Sequence, residues 1–267
     1  MRGASGVAAQ PLCADGRDGV RGFGDKAVFW SLSVSALEQA FRESLALVAG
    51  GDPALIHIVA LSLAVSLSAV AAAASLGMPL GALLAVSRFP GRRGLVVLLD
   101  ALMGLPPVVV GLLVYLLLSR AGPLGELGLL FTPAAMVVAQ TFLVLPILAA
   151  LTRQFVEDAW LEQQEQLRSL GARPLRAAFT LLWDLRFSLV TALLAGLGRA
   201  LSEVGAVLIV GGNIEGVTRV MTTAIALETA KGDLALALAL GFVLVALVTL
   251  LNAAAHLVRQ AAERRSG

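Results

Sequence analysis

Charged residues are scarce in this chain: Asp, Glu, Lys and Arg make up 14% of its 267 residues, while 58% are hydrophobic. An average soluble domain carries about 25% charged residues. The single cysteine, Cys13, excludes an intramolecular disulfide framework and a cysteine cluster for zinc or iron–sulfur ligation. The two histidines, His57 and His256, lie far apart without an acidic cluster beside either, which disfavours metal-dependent chemistry.

Where charges are missing, five long apolar tracts remain. A helix needs about 20 apolar residues to cross a bilayer, and soluble core helices rarely reach such lengths without a polar face. A soluble helical protein is therefore disfavoured. We predict an all-α membrane protein whose membrane domain covers residues 52–258, with five transmembrane helices at about residues 54–86, 94–118, 128–152, 187–211 and 234–258.

The distribution of basic residues predicts the orientation. Eleven arginines lie in the segments after the first, third and fifth spans, whereas three basic residues lie in the loops on the opposite side. Basic residues favour the cytoplasmic side of a membrane. We therefore expect the N-terminus outside, and the C-terminus, with a tail at residues 259–267, in the cytoplasm.

The residues before the first span divide into two parts. Residues 1–32 are rich in Gly, Ala, Asp and Arg without periodicity, which predicts either a disordered tail or a mis-assigned translation start. They lack the apolar region of a signal peptide. In residues 33–51, Leu37, Phe41, Leu45 and Val48 recur at helical spacing with charges between them, which predicts an amphipathic helix on the outer membrane face.

The second span contains two adjacent prolines, Pro106 and Pro107, between Gly104 and Gly111. Proline frees backbone carbonyls that neighbouring groups or cavity water must satisfy, and such breaks near mid-membrane are common in transporters. Pro106 and Pro107 are therefore candidates for the transport pathway or its gate. A packing kink without cargo contact is the alternative.

The fourth span carries Arg199 and Glu203, four residues apart on one helical face. Charges inside a span are costly and usually pair. The pair is either an internal salt bridge that fixes helix packing or an element of the pathway or gate, together with nearby Gly205. If it is structural, removing Glu203 is expected to leave a buried cation unpaired. Asp100, in the second span, is expected to pair with Arg92 or Arg93 at the helix end.

The segment at residues 153–186 carries ten charges and is longer than a connection requires. Its charged helical run is expected to end at Gly171, and a second short helix to begin near Pro174. Leu167, Leu170, Leu175 and Phe179 would then be available for docking. A β-branched side chain at position 171 is expected to push the two helices apart.

This segment resembles the EAA loop of ABC importer permeases, in which a Glu is followed six residues later by a Gly. Glu165 and Gly171 match that spacing. Gln166 and Leu167 stand in place of the two alanines, and Trp183-Asp184 stands where the pattern usually ends in Leu-Pro. The resemblance implies a cytoplasmic coupling loop at residues 153–186 whose contact with an ATPase involves Glu165, Leu170, Gly171, Ala172 and Arg173.

Further stretches are similar to tungstate permeases and, next to them, molybdate and sulfate permeases. They cover residues 87–93, 104–111, 198–206, 211–214 and 221–229, and the likeness extends from about residue 41 to residue 258. The blocks at 198–206 and 211–214 are shared with molybdate permeases, so they indicate the oxyanion class more firmly than tungstate itself.

The resemblance implies a type I ABC importer permease in a bacterial cytoplasmic membrane, not an enzyme. The expected partners are a second copy of the chain, an ATP-binding cassette ATPase, an extracytoplasmic oxyanion-binding protein and membrane lipid, with no nucleic acid and no cofactor. The expected cargo is tungstate, with molybdate or sulfate as alternatives. The sequence has no G-x-x-x-x-G-K-S/T phosphate loop, so the chain cannot be the ATPase.

Three other classes fit less well. A secondary, ion-coupled transporter is disfavoured because five spans give no inverted repeat, and Asp100, Arg199 and Glu203 are too few for an ion relay. A membrane enzyme would need a nucleophile–base pair or metal ligands that converge within the spans. A structural scaffold would not require the charged segment at 153–186.

Overall fold

The computed structural model describes residues 38–266, which form ten α-helices and one 3-10 turn, Gly125–Leu127. Residues 1–32, where a disordered tail or mis-assigned start is expected, lie outside the described residues. The helices in chain order are α1 (38–50), α2 (Pro53–Val86), α3 (Arg92–Met103), α4 (Pro107–Leu118), α5 (Pro133–Ser169), α6 (Pro174–Asp184), α7 (Arg186–Leu201), α8 (Gly205–Gly211), α9 (Met221–Lys231) and α10 (Leu234–Ser266).

Three helices are each long and apolar enough to cross a membrane: α2, α5 and the first 24 residues of α10. Two bent helix pairs, α3 with α4 and α6 with α7, would raise the number to five if each pair is one span. The described chain is thus all-helical, with three to five candidate spans.

The paired helices α2 and α5 form the centre of the bundle, and small residues let them approach closely. A Cβ atom added at Gly77 would lie 2.9 Å from the carbonyl oxygen of Leu145, and one added at Gly81 would overlap the carbonyl oxygen of Ala149. Glycines four residues apart on one helix face are a common device for close helix packing in membranes. Six further helices contact α2 or α5, namely α3, α4, α6, α7, α8 and α9, whereas α10 packs mainly on α7 and α9.

The second predicted span is two helices. Helix α3 ends at Met103, α4 begins at Pro107, and their axes are bent by 101°. Pro106 has an extended backbone and precedes Pro107, which takes the first helical position, where proline is tolerated. The adjacent prolines therefore end one helix and start another, so this is a sharp corner and not a mild kink.

The fourth predicted span is also interrupted. Helix α7 ends at Leu201, residues 202–204 are not helical, and the short helix α8 follows from Gly205. Gly212 then adopts a left-handed conformation (φ 70°), and the chain returns to start α9 at Met221. The N-terminus of α9 packs against α2, because the hydroxyl of Ser62 accepts a hydrogen bond from the backbone N–H of Met221 at 2.7 Å.

The charged segment at 153–186 is almost entirely helical. Helix α5 continues through it to Ser169, α6 follows from Pro174 to Asp184, and α7 starts at Arg186. The predicted helix end at Gly171 and the helix start at Pro174 are confirmed. The segment is a rigid hairpin and not a loose loop, because buried Ala177 and Leu181 of α6 pack in one cluster with Val156 and Trp160 of α5.

Helix α1 packs against α10 through an edge-to-face contact of Phe41 with Phe242, whose ring centroids are 5.4 Å apart. Asp52 then caps α2, since its carboxylate accepts the backbone N–H groups of Ala54 and Leu55 at 2.9 and 3.0 Å. Residues 33–37 of the predicted amphipathic helix lie outside the described residues. At the other end, α10 continues without a break through the predicted tail to Ser266.

Candidate gate and coupling surface

Glu203 is the one carboxylate among the predicted pathway residues, and it is deeply buried. It lies in the non-helical segment between α7 and α8, and its side chain is 4% exposed. One carboxylate oxygen, Oε2, pairs with Nη1 of Arg199 at 2.6 Å. The other, Oε1, accepts the backbone N–H of Ala206 in the first turn of α8 at 3.2 Å. Glu203 therefore joins the last turn of one helix to the first turn of the next.

Arg199 differs from its partner in exposure, because 36% of its side chain is accessible. Only Nη1 bonds to Glu203, and the other guanidinium N–H groups have no partner within residues 38–266. The expectation of a buried cation is therefore wrong: the buried member of the pair is the carboxylate. This leaves Arg199 with donors available at the protein surface.

The prolines and Gly205 meet at the same place. A Cβ atom added at Gly205 would lie 2.9 Å from a methyl carbon of Val108, the residue after Pro107. One turn further on, a Cβ added at Gly111 would lie 2.7 Å from the Cα of Ala206. The corner at Pro106–Pro107 therefore packs directly on the break between α7 and α8, and the structure brings all the predicted gate residues into one region.

Polar side chains of two further helices bond to this break. Gln140 of α5 donates from Nε2 to the carbonyl oxygen of Ala200 at 3.1 Å, and Thr222 of α9 donates from Oγ1 to the carbonyl oxygen of Glu203 at 2.8 Å. The carbonyl of Ala200 also accepts the backbone N–H of Glu203 at 3.2 Å, so these side chains add bonds from α5 and α9 to the non-helical segment. Gln140 was not predicted from the sequence, and Thr222 was noted there only as part of the stretch 221–229. The signal for Gln140 was an amide side chain in a span without charged residues.

A second buried carboxylate also went unnoticed in the sequence. Glu228 of α9 lies 2.9 Å from the ammonium of Lys231 and 3.7 Å from the guanidinium of Arg219. Arg219 belongs to the segment that leads into α9, so these contacts tie that segment to the end of the helix. Glu228 belongs to the stretch 221–229 that resembles tungstate permeases, but nothing in the sequence indicates that its carboxylate is buried.

The turn at Gly171 is a Schellman motif. The N–H of Gly171 bonds to the carbonyl of Arg168 at 2.9 Å, and the N–H of Ala172 bonds to the carbonyl of Leu167 at 3.0 Å. Gly171 has φ of +71°, the left-handed region that favours glycine. A Cβ atom at this position meets no atom within 4 Å, so the expectation that a side chain would push the helices apart is wrong.

The other predicted coupling residues surround this turn. Glu165 and Leu170 are exposed at the end of α5, Ala172 is half-buried in the turn, and exposed Arg173 precedes α6. The side chain of Glu165 has no partner within the described residues. It is therefore available to bond to a protein outside the chain.

An exposed apolar stripe runs along α6. Leu175, Phe179 and Trp183 lie four residues apart on one helical face, and each is more than half exposed. The opposite face, with Ala177, Ala178 and Leu181, is buried. Trp183 extends the stripe that contains Leu175 and Phe179, two of the residues expected to dock. Leu167, also expected to dock, packs instead against the cluster between α5 and α6.

The charged end of the bundle holds a connected set of ion pairs. Glu157 bonds to Arg92 and to Arg153, both at 2.9 Å, and Arg153 lies 4.0 Å from Asp100. The predicted pairing of Asp100 with Arg92 or Arg93 is therefore wrong. The reason is that α5 continues beyond the expected span end and carries Arg153 and Glu157 between α3 and α2.

No group of three or more His, Cys, Asp or Glu side chains within residues 38–266 could hold a metal ion. The arrangement instead comprises interrupted apolar helices around the pair of Arg199 and buried Glu203, and a helical hairpin of α5 and α6 with an exposed apolar face. Helices broken in this way are common in membrane transport proteins.

Comparison with known proteins agrees with this class. Residues 77–265 match the family described as binding-protein-dependent transport system inner membrane component. A probable anion ABC transporter permease protein of Haloferax volcanii is 42% identical over 80% of this chain and 94% of its own length. A tungstate uptake system permease protein of Peptoclostridium acidaminophilum is 39% identical over 84% of this chain and 98% of its own length. A protein of the same name from Campylobacter jejuni is 37% identical over 82% of this chain and 92% of its own length. Relatives named for sulfate and molybdenum transport match at 27% and 33% identity.

The chain belongs to the family of binding-protein-dependent transport system inner membrane components, and the resemblance to ABC permeases is confirmed. It is a multi-pass inner membrane protein and a permease subunit. Permeases of this kind work with an ATPase subunit, which hydrolyses ATP, and with a substrate-binding protein, so the chain itself is not an enzyme.

Proposed function

We propose that this chain is the permease of a tungstate importer, and that it works as a homodimer with an ATPase and an extracytoplasmic binding protein. The observation that carries the proposal is the match, over more than four fifths of the chain, to two permeases named for tungstate uptake. The relatives named for sulfate and molybdenum are less similar, which favours tungstate over those anions.

The proposed topology has five crossings with the N-terminus outside. They are α2, α3 with α4, α5, α7 with α8, and α10. The ion pairs of Arg92, Arg153 and Glu157 then lie at the cytoplasmic end, in agreement with the excess of basic residues on that side. Helix α1, with its amphipathic sequence, lies on the outer membrane face.

Within the gate, the two charges have different roles. Glu203 is buried and holds α7 to α8, so its role is structural, and its charge is neutralised by Arg199 and by the N–H of Ala206. Arg199 keeps free donors at the surface of the subunit, where the pathway between two copies would run. A guanidinium with free N–H groups suits a tetrahedral oxyanion. Arg199 is therefore the proposed anion contact.

The apolar stripe of α6 is the proposed ATPase contact. Leu175, Phe179 and Trp183 face away from the protein on a helix whose other side is firmly packed. A membrane protein that must move with a soluble ATPase needs such a rigid contact. Phe179→Ser should therefore reduce co-purification of the ATPase, whereas Phe179→Leu, the matched apolar control, should preserve it.

The cargo is tested by transport. The purified complex is reconstituted in liposomes, ATP is supplied on the ATPase side, and binding protein loaded with tungstate, molybdate or sulfate is added on the other side. We expect ATP-dependent uptake of tungstate, and strong reduction of that uptake in Arg199→Gln. Equal uptake of sulfate would contradict tungstate as the specific cargo. Uptake without ATP would contradict the ABC mechanism.

A further inference from the structure

A small cavity lies directly beside the break between α7 and α8. It measures about 10 Å³ and is lined by polar side chains of four elements: Ser62 and Ser66 of α2, Gln140 of α5, Glu203 of the break and Thr222 of α9. Buried polar groups in an apolar bundle normally find hydrogen-bond partners, because an unpaired one costs free energy. The partners of these groups can be counted individually.

Three of the lining groups already have partners. The hydroxyl of Ser62 donates to the carbonyl of Ile58 at 2.8 Å and accepts from the N–H of Met221, and the hydroxyl of Thr222 donates to the carbonyl of Glu203. The carboxylate of Glu203 uses one lone pair on each oxygen, so each oxygen can still accept one further bond.

Two buried groups have no protein partner within residues 38–266. The amide oxygen Oε1 of Gln140, a residue 3% exposed, bonds to nothing. Its orientation is not ambiguous, since the amide nitrogen must face the carbonyl oxygen of Ala200. The hydroxyl of Ser66, a residue 2% exposed, also makes no hydrogen bond to the described residues. One donor and one acceptor thus remain unused at one cavity.

We propose that this cavity binds one water molecule that bridges Ser66, Gln140 and Glu203. The water accepts from the hydroxyl of Ser66 and donates to Oε1 of Gln140 and to the carboxylate of Glu203. Three hydrogen bonds are typical for a buried water, and the volume is close to the minimum of about 10–15 Å³ that a water requires.

Other ligands fit this site less well. A tetrahedral oxyanion needs several times the available room and would lie against the carboxylate of Glu203. A cation would compete with Arg199, which already neutralises that carboxylate at 2.6 Å. Water needs no charge compensation and supplies both the donors and the acceptor that the lining lacks.

The position of the site gives the water a structural role at the gate. It would connect α2 and α5, the rigid centre of the bundle, to the only buried carboxylate at the break between α7 and α8. Water can be released and rebound more readily than a side chain can be repacked. The site would therefore hold Glu203, and with it Arg199, in a defined position while leaving the break able to move. This inference does not depend on the identity of the cargo.

The first test is a high-resolution experimental structure of the complete transporter complex. We expect a single density peak about 2.7–2.8 Å from Oγ of Ser66, Oε1 of Gln140 and a carboxylate oxygen of Glu203. A cavity without density would overturn the proposal. A peak with the shorter distances and more numerous oxygen ligands of a metal cation would also overturn it.

The second test is a double-mutant cycle on the purified complex, with thermal unfolding as the measurement. Ser66→Ala removes the donor to the water and should lower the unfolding midpoint by about 1–6 °C. Gln140→Met removes the acceptor and the bond to Ala200, so its decrease should be larger. Because the two side chains do not bond to each other, a shared water predicts that the double variant unfolds near the midpoint of Gln140→Met alone.

Ser75→Ala is the matched control, because Ser75 lies on the exposed side of the same helix and bonds only to the carbonyl of Ala72. It should leave the midpoint nearly unchanged. Fully additive decreases for Ser66→Ala and Gln140→Met would contradict a shared water. If either variant fails to fold, the density in the wild-type complex decides the question.

Discussion

The ion pair of Arg199 and Glu203 leads to a prediction about which partner matters more for stability. Glu203→Gln preserves the shape of the side chain and the oxygen that accepts from Ala206, but removes the negative charge. Arg199→Met removes the cation and leaves the carboxylate at 4% exposure without its charged partner. We expect Arg199→Met to destabilise the protein more than Glu203→Gln.

The magnitudes follow from burial. Removing one partner of a buried ion pair costs about 3–5 kcal/mol, because the remaining charge is left uncompensated. That range applies to Arg199→Met, where the remaining group is buried. In Glu203→Gln a charged hydrogen bond becomes a neutral one, at a cost of about 1–2 kcal/mol. The remaining cation is a third exposed on the isolated subunit, so it is less desolvated than the carboxylate.

The assay is thermal unfolding of the purified permease in detergent, together with the folded yield. For a chain of this size, about 1 kcal/mol lowers the unfolding midpoint by about 2–4 °C. Arg199→Met should therefore lower it by about 6–20 °C, and Glu203→Gln by about 2–8 °C. Ser202→Ala, an exposed residue between the two whose hydroxyl bonds only to the carbonyl of Arg199, is the control and should have little effect.

The double variant completes the test. When Arg199→Met and Glu203→Gln are combined, no uncompensated charge remains, so the double variant should be more stable than Arg199→Met alone. A larger loss from Glu203→Gln than from Arg199→Met would refute the assignment of the carboxylate as the buried partner. Strictly additive losses would mean that the two side chains do not act as a pair.

Three further predictions concern other parts of the chain. Gly171→Ala should lower the free energy of unfolding by about 1–2 kcal/mol, because Gly171 has a φ of +71°. Gly171→Asn should be tolerated, because asparagine adopts this conformation more readily and nothing crowds the position. Thermal unfolding and co-purification of the ATPase are measured for each variant. Gly81→Ala should prevent the close packing of α2 on α5 and reduce folded yield, while Gly94→Ala, in open space on a helix, should be neutral or stabilising by about 0.5–1 kcal/mol. A reporter that is active only outside the cytoplasm should be active when fused after Gly125 and silent after Gly91 or Gly171, and the reverse pattern would invert the proposed topology.

For a variant with the two charges exchanged, the sequence and the structure predict different results. From the spacing alone, Arg199→Glu with Glu203→Arg should restore the salt bridge. The structure predicts poor rescue, because position 203 must also accept the N–H of Ala206 at the start of α8, which an arginine cannot do. Recovery of stability in the swapped variant would show that this bond contributes little.

Local chemistry determined much of this protein in advance. The long apolar tracts imply membrane helices because only a helix satisfies its own backbone in a bilayer. The end of α5 at Gly171 and the start of α6 at Pro174 follow from the backbone preferences of single residues. The spacing of four residues predicted the pairing of Arg199 with Glu203, although Glu203 lies just beyond the end of α7 and not on its helical face. The family also could be recognised, since the loop pattern and the gate motif are contiguous stretches.

Tertiary structure alone decided how these pieces meet. Sequence spacing does not reveal that Gly205 packs on the corner at Pro107, that Asp100 faces Arg153, or that Gln140 and Ser66 share a cavity with Glu203. Nor does it show which member of an ion pair is buried. Such facts depend on the relative placement of helices far apart in the chain, and that placement results from the packing of every side chain between them. The burial of Glu203, on which the proposed gate rests, is therefore a property of the assembled bundle.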